Sequence, residues 1–236
     1  MSRELQGKTV VVVGGGSGIA RQIATDTAAA GARVVLAGRN PEKLTGEVGT
    51  GIEVDTVDLA DEASIAALAE RVGAVDHLVS TANAAANGPV TGLERAAVVG
   101  AFDAKVIGPI LLAKHFGPRF SEGGSMLLFS GIVGWRPSAG KTVTAATNGA
   151  VSFLATALAV ELAPVRVNAL SPGIIDSGAW DGLGEGKQKL FEATAAEVPA
   201  RRVGQLADIS SAVLLALTNP FITGETLHVD GGGRFA

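Results

Sequence analysis

The chemistry of this chain starts at Gly14-Gly15-Gly16-Ser17-Gly18-Ile19-Ala20, directly after four consecutive valines, Val10 to Val13. A valine run of this kind reads as a strand buried on both faces of a parallel sheet. From Gly18 onward the sequence turns helical, through Ile19, Ala20, Ile23, Ala24 and Thr27. A strand, a glycine turn and a helix N-terminus together make an anion site. Bare backbone N–H groups and the positive end of the helix dipole face whatever sits there, typically a phosphate. The flanking strand and helix supply the context that a glycine loop needs to be read this way.

The second strand ends in Ala37-Gly38-Arg39-Asn40. Many NAD sites carry an acid at this place, accepting from the ribose 2′-hydroxyl. Gly38 stands there instead, and Arg39 follows. A guanidinium gives a 2′-phosphate charge-assisted hydrogen bonds where an acid would repel it. The cofactor expected is therefore NADP(H), with Ser17 as a further donor. Asp58, after the third strand, is placed to accept from the adenine amino group; a turn or helix-cap aspartate is the alternative, and both roles are compatible.

These residues need a scaffold that brings strand ends together. Apolar runs predict strands at 8–13, 34–37, 52–57, 75–80, 125–130, 165–170 and 226–229. Helical spacing covers 18–30, 42–48, 62–72, 93–120, 139–162 and 207–217, with the long fourth stretch weakened by Gly100 and Gly108-Pro109. Asp61 offers a cap for the helix at 62–72. This alternation predicts one α/β domain over 1–236, a doubly wound parallel sheet with helices on both faces. Ligands in such sheets bind beyond the carboxyl ends of the strands. The candidate positions are then 14–20, 38–40, 58–59, 81–83, 130–131 and 172–177.

Composition narrows the function further. A chain of 236 residues, 47% hydrophobic, suits one domain with a large core. The net charge of −4 leaves no basic footprint for nucleic acid. There is no cysteine, and His77, His115 and His228 are scattered without metal-ligand spacing, so no metal site is expected. The N-terminal residues form no signal peptide, and no apolar run is expected to reach the roughly 18 residues of a membrane span. A cytoplasmic protein with no membrane partner is expected. The chain also has no tyrosine.

The order of motifs resembles the short-chain dehydrogenase/reductase family over essentially the whole chain. Gly14-x-x-x-Gly18-x-Ala20 is similar to that family's Thr-Gly-x-x-x-Gly-x-Gly loop, with Val13 for the threonine and Ala20 for the last glycine. Asp58-Leu59 resembles its adenine-binding pair, and Ser80-Thr81-Ala82-Asn83 stands where the family has Asn-Asn-Ala-Gly. Arg166-Val167-Asn168-Ala169-Leu170-Ser171-Pro172-Gly173 resembles the strand and turn flanking the nicotinamide, followed by Ile175. Ser177 falls where a threonine contacts the carboxamide. The tail from Thr223 to Gly233 is similar as well. The resemblance implies a single-domain Rossmann fold, a small-molecule substrate, and a homotetramer or dimer built on the two long helices and the last strand.

The resemblance also implies four catalytic positions, usually asparagine, serine, tyrosine and lysine. Flanking residues place Lys105 at the asparagine position, Gly131 at the serine position with Ser130 one step early, Thr144 at the tyrosine position and Asn148 at the lysine position. Thr144 donates a hydrogen bond but is a poor proton source, because an aliphatic alcohol is several units weaker than a phenol. If Lys105 is desolvated beside the nicotinamide, its pKa falls and it serves as acid or base, or it holds an anionic substrate. Snorkelling to solvent is the plainer alternative. Asn148, one turn from Thr144, would bond the nicotinamide ribose. The segment at 176–198 is expected to be a substrate lid, with Trp180, Leu183, Leu190 and Phe191 walling an apolar pocket opposite Trp135.

Three functions follow. The first is an NADP(H)-dependent oxidoreductase with a non-standard proton source, acting on a substrate needing little acid assistance, such as an iminium or an activated alkene. The second is a degenerate NADP(H)-binding sensor or scaffold. The third, a cofactor-free lyase, ranks last because the glycine loop is kept while the tyrosine is missing.

Overall fold

In the computed structural model, residues 4–15, 18–40, 42, 44 and 51–236 are described. The parallel strands β1 (Thr9–Val13), β2 (Arg33–Gly38), β3 (Ile52–Thr56), β4 (Val75–Ser80), β5 (Phe120–Phe129), β6 (Arg166–Pro172) and, after two short strands, β9 (Thr226–Val229) form one sheet. Its order is β3-β2-β1-β4-β5-β6-β9. The order reverses between β1 and β4, which is where a doubly wound sheet opens a ligand crevice. The short strands β7 (Ile175–Asp176) and β8 (Gly204–Gln205) pair separately beside the end of β6.

The valine run explains the two layers. Val11 and Val13 point into one core with Ile65, Leu68, Leu112, Phe116, Val151 and Ala155. Val10 and Val12 point into the other with Ala20, Ile23, Ile209 and Val213. Side chains alternate along a strand, so four valines in a row feed both cores. Each buried valine contributes about 1.5–3 kcal/mol before conformational entropy is set against it.

The helices are α1 (Gly18–Ala29), α2 (Glu62–Val72), α3 (Arg95–Phe102), α4 (Gly108–Phe116), α5 (Thr142–Glu161), α6 (Gly186–Glu197) and α7 (Leu206–Thr218). Asp61 caps α2 as expected, its carboxylate accepting from Ala63 N at 3.0 Å. The stretch read as one helix over 93–120 is divided by a π turn, Asp103–Ile107, and ends in the 3₁₀ turn Gly117–Arg119. A Cβ on Gly108 would lie 2.7 Å from Leu59 Cβ, so the missing side chain lets the helix press onto the loop after β3.

Two stretches are more apolar than the sequence reading allowed. Arg95–Arg119 and Thr142–Glu161 are long and apolar enough to cross a membrane by length and composition. Both lie against the sheet, with Leu112, Phe116, Val151 and Ala155 in the core. Their outer faces leave Val99, Ile107, Ile110, Phe153 and Val160 exposed.

The segment at 176–198, expected as a substrate lid, carries a 3₁₀ turn, Asp181–Leu183, and the helix α6. Lys187 ties it down, pairing with Asp176 at 2.9 Å and Asp181 at 2.7 Å. Trp180 Nε1 donates to Ile175 O at 2.9 Å. Leu190 and Phe191 on α6 are half-buried, and Trp135 stands edge-on to His228. The short helix expected at 42–48 is seen only at Glu42 and Leu44; its other positions lie outside the described residues.

Candidate functional site

A cleft of about 430 Å³ runs along the carboxyl ends of the strands at the sheet's reversal point. Nine of the expected cofactor residues line it: Gly14, Gly38, Arg39, Asn40, Asp58, Leu59, Thr81, Ala82 and Asn83. Strand ends place them. Gly14 follows β1, Gly38 ends β2, and Thr81 follows β4. Gly14 has φ +116°, and a Cβ there would lie 2.5 Å from Thr81 Oγ1 and 2.9 Å from Ala82 N. Only glycine lets β1 and β4 end this close together. Thr81 Oγ1 in turn donates to Val13 O and Gly14 O, both at 3.3 Å.

Arg39 is exposed at the rim and has no hydrogen-bond or ion-pair partner among the described residues. Its guanidinium is available to an anion. Asp58 accepts from Ala60 N at 3.0 Å through Oδ1, which makes it a turn aspartate with its second oxygen left over. Both readings of this residue are therefore compatible with the geometry.

Other expected residues act beside the cleft rather than lining it. Gly18 opens α1, and a Cβ on it would lie 2.6 Å from Ser177 O, so the glycine loop and the start of the lid touch. Ile19 packs against the core, and the Ile175 side chain is buried in it, so only the backbone of Ile175 is available to a ligand. A Cβ on Gly173 would meet Asp230 Cα at 2.8 Å, and Gly173 N donates to Val229 O at 3.0 Å. Pro172 and Gly173 thus fix the end of β6 against β9. Gly16 and Ser17 lie outside the described residues. The cleft wall also includes Gly15 of the glycine loop, and Ala84, Gly100, Asp103 and Ala104, which the sequence reading missed. Small side chains and a helix interior gave no chemical signal there.

Lys105, Ser130 and Asn148 come together, and Thr144 stands one turn away on α5. Lys105 sits in the π turn and is buried, with 6% exposure, rather than snorkelling. Its Nζ donates to Ser130 O at 3.0 Å and to Asn148 Oδ1. Both acceptors are neutral. Burial alone pulls the ammonium down from its ordinary value to about 8. Ser130 Oγ donates to Asn148 O at 2.8 Å, which turns its hydroxyl toward α5. Thr144 Oγ1 donates to Asn87 Oδ1 at 3.0 Å. A Cβ on Gly131 would lie 2.8 Å from Asn148 Nδ2.

A sheet that reverses at a glycine turn, with a cleft across its strand ends, defines the Rossmann-type α/β class. Residues 13–233 match the family described as enoyl-(acyl carrier protein) reductase. The chain belongs to this family of short-chain dehydrogenase/reductase oxidoreductases. It is 30% identical to carbonyl reductase family member 4 of Danio rerio, over 95% of this chain and 97% of that one. It is 29% identical to the human 3-oxoacyl-[acyl-carrier-protein] reductase, with the same coverage of both chains. A solved small-chain dehydrogenase in complex with NADPH is 34% identical, with a TM-score of 0.81 over 97% of this chain and 99% of the other.

Proposed function

We propose that the chain is an NADP(H)-dependent oxidoreductase in which Lys105 supplies the proton. The observation that carries this is a buried, uncompensated ammonium beside a strand-end cleft whose rim holds the unpartnered Arg39. Gly14 and Gly38 would let the backbone approach a pyrophosphate, Arg39 would hold the 2′-phosphate, and Asp58 would face the adenine. Thr81, Ala82 and Asn83 would follow the dinucleotide toward Ser177. The bound dinucleotide supplies the hydride.

Lys105 is suited to the proton step because an acid works best near the operating pH, and burial brings this one to about 8. The other hydroxyls are engaged: Thr144 gives its proton to Asn87, and Ser130 gives its own to the backbone of Asn148. The chain has no tyrosine to take the part. The similarity to an NADPH-bound dehydrogenase supports the choice of dinucleotide. The substrate would be a small organic molecule entering beneath the lid. Exposed Val99, Ile107, Ile110, Phe153 and Val160 favour assembly as a dimer or tetramer through the two long helices.

The test is NADPH oxidation followed across ketones, imines and enones. Turnover lost in Lys105→Met, with NADPH still bound, supports the reading. Turnover intact in Lys105→Met refutes the proton role. NADPH binding without turnover on any of the three classes would favour the sensor or scaffold reading, to which the missing tyrosine also points.

A further inference from the structure

We infer that the cavity between the end of α6 and the tail after β9 is a second ligand site, built for a carboxylate with a short hydrocarbon body. It shares no lining residue with the dinucleotide cleft and goes beyond the functional reading above.

The cavity holds about 430 Å³, the size of a small-molecule site. It lies at the carboxyl end of β9, the edge strand of the sheet, away from the reversal point between β1 and β4. Its polar lining includes His228, Arg202 and Arg234, with the aspartates that pair with the two arginines. Ile174, Val198 and Val229 supply apolar wall.

The charges of the two ion pairs cancel, but their hydrogen-bonding capacity does not. Asp208 accepts from Arg202 at 2.6 and 2.8 Å and from Gln205 N at 2.7 Å. Asp230 accepts from Gly232 N at 2.9 Å, from Arg234 N at 3.2 Å and from Arg234 Nη1 at 3.1 Å. Both carboxylates are engaged. The guanidiniums are not exhausted, because each carries five N–H groups. Arg234 uses Nη1 alone, which leaves Nε and Nη2 without an acceptor among the described residues. Nε of Arg202 is open in the same way. In both pairs the guanidinium is more exposed than the carboxylate, so the cavity presents donors. Planar forks with spare N–H groups match a carboxylate. The Arg234 guanidinium carbon also lies 4.3 Å from the centre of the Phe235 ring, which holds the side chain in place.

His228 marks the same place independently. Its Nδ1 is sealed and has no hydrogen-bond partner among the described residues. Ser171, its register partner on β6, carries a second such atom, Oγ. Buried polar atoms are nearly always paired, so two orphans on neighbouring strands call for an explanation. Packing holds the imidazole instead, with Trp135 edge-on at 4.7 Å between ring centres. Burial and the Arg234 charge keep the imidazole pKa below its ordinary value, against the pull of Asp230. A carboxylate on Arg234 would offset that charge and favour the protonated ring. Arg201, beside Arg202, has φ +56°. That conformation is costly for a side chain and clusters at ligand clamps.

The test is an NMR titration of the full chain with sodium hexanoate, read at the imidazole resonances. The chain has three histidines, and His228→Gln assigns the one of interest. Hexanoate should shift the His228 resonance saturably and raise its pKa. Acetate should bind at least tenfold more weakly, for want of the hydrocarbon. Arg234→Lys keeps a cation opposite Asp230 but loses the fork, and should weaken hexanoate at least tenfold. Ala200→Glu puts a carboxylate at the exposed rim of the cavity, clear of the core, and should weaken it as much. NADPH binding should be the same in both variants as in the wild type. No shift at His228 overturns the proposal, as does hexanoate binding that both variants leave unchanged. Sulfate bound as tightly as hexanoate would show a bare anion site and overturn the carboxylate assignment. A wild-type chain that binds hexanoate but no NADPH would keep this site and overturn the dinucleotide reading.

Discussion

Lys105 and Asn148 meet directly, the ammonium of the π turn donating to the amide oxygen of α5. By the resemblance carried in the sequence, a lysine stands at the asparagine position and an asparagine at the lysine position. The cation comes from the helical stretch that follows β4. It has no carboxylate partner to offset its burial, so a ligand that brings or develops negative charge would be stabilised beside it.

This arrangement fixes a pH dependence. Under the proposal that Lys105 supplies the proton, reduction needs its acid form, which is present below about 8. The rate of NADPH-dependent reduction should be level at neutral pH and fall as pH rises through about 8, approaching tenfold per unit above it. Oxidation of the alcohol should rise over the same window. A pH–rate profile checks this, and the limb at about 8 should vanish in Lys105→Met.

Arg39 at the end of β2 should set the choice between dinucleotides. Arg39→Ala should weaken NADPH by about 1.5–3 kcal/mol, the loss of a charged hydrogen bond. NADH should be little affected. Fluorescence titration of both cofactors separates the two, and equal weakening would refute the 2′-phosphate assignment.

Gly14→Ala tests the cradle. Its positive φ alone costs roughly 1–3 kcal/mol for a side chain, and the added Cβ meets the Ala82 backbone at 2.9 Å as well as the Thr81 side chain. Urea unfolding should show the loss of stability, and NADPH affinity should fall with it. Gly18→Ala should act differently. Its Cβ meets Ser177 O at 2.6 Å, so the lid must shift away from the glycine loop, and limited proteolysis within 176–198 should speed up.

His77 should give an acid-side loss of stability. It is buried, its Nδ1 hydrogen-bonded to Ser125 Oγ at 2.9 Å, and desolvation lowers its pKa from 6.5 to about 4. Between those values the unfolded chain binds the proton more readily than the folded one. The stability is complete above pH 6.5 and is lost as pH falls toward 4, by roughly 3 kcal/mol at most. Unfolding of wild type and His77→Gln across that range should converge as pH falls.

The fold was largely legible because its signals are local and strong. The helix at 62–72 and the strands at 75–80 and 226–229 have the expected ends, since caps and apolar runs mark them directly. Strand ends also pointed to ten residues of the cleft. Other features depend on tertiary contacts. β5 begins at Phe120, before Gly123-Gly124, where glycines obscure a strand pattern. Gly100 and Ala104 line the cleft through backbone and small side chains, which carry no periodic signal. The direct Lys105–Asn148 bond joins residues 43 apart, and only packing of the π turn against α5 creates it. The helix α6 has no buried face, so no apolar stripe announced it.

The most direct measurement is a fluorescence titration of the wild-type chain with NADPH and NADH in parallel. Saturable binding of NADPH, tighter than that of NADH by the margin that Arg39→Ala removes, is the result expected. Binding of neither dinucleotide would contradict the account at its centre.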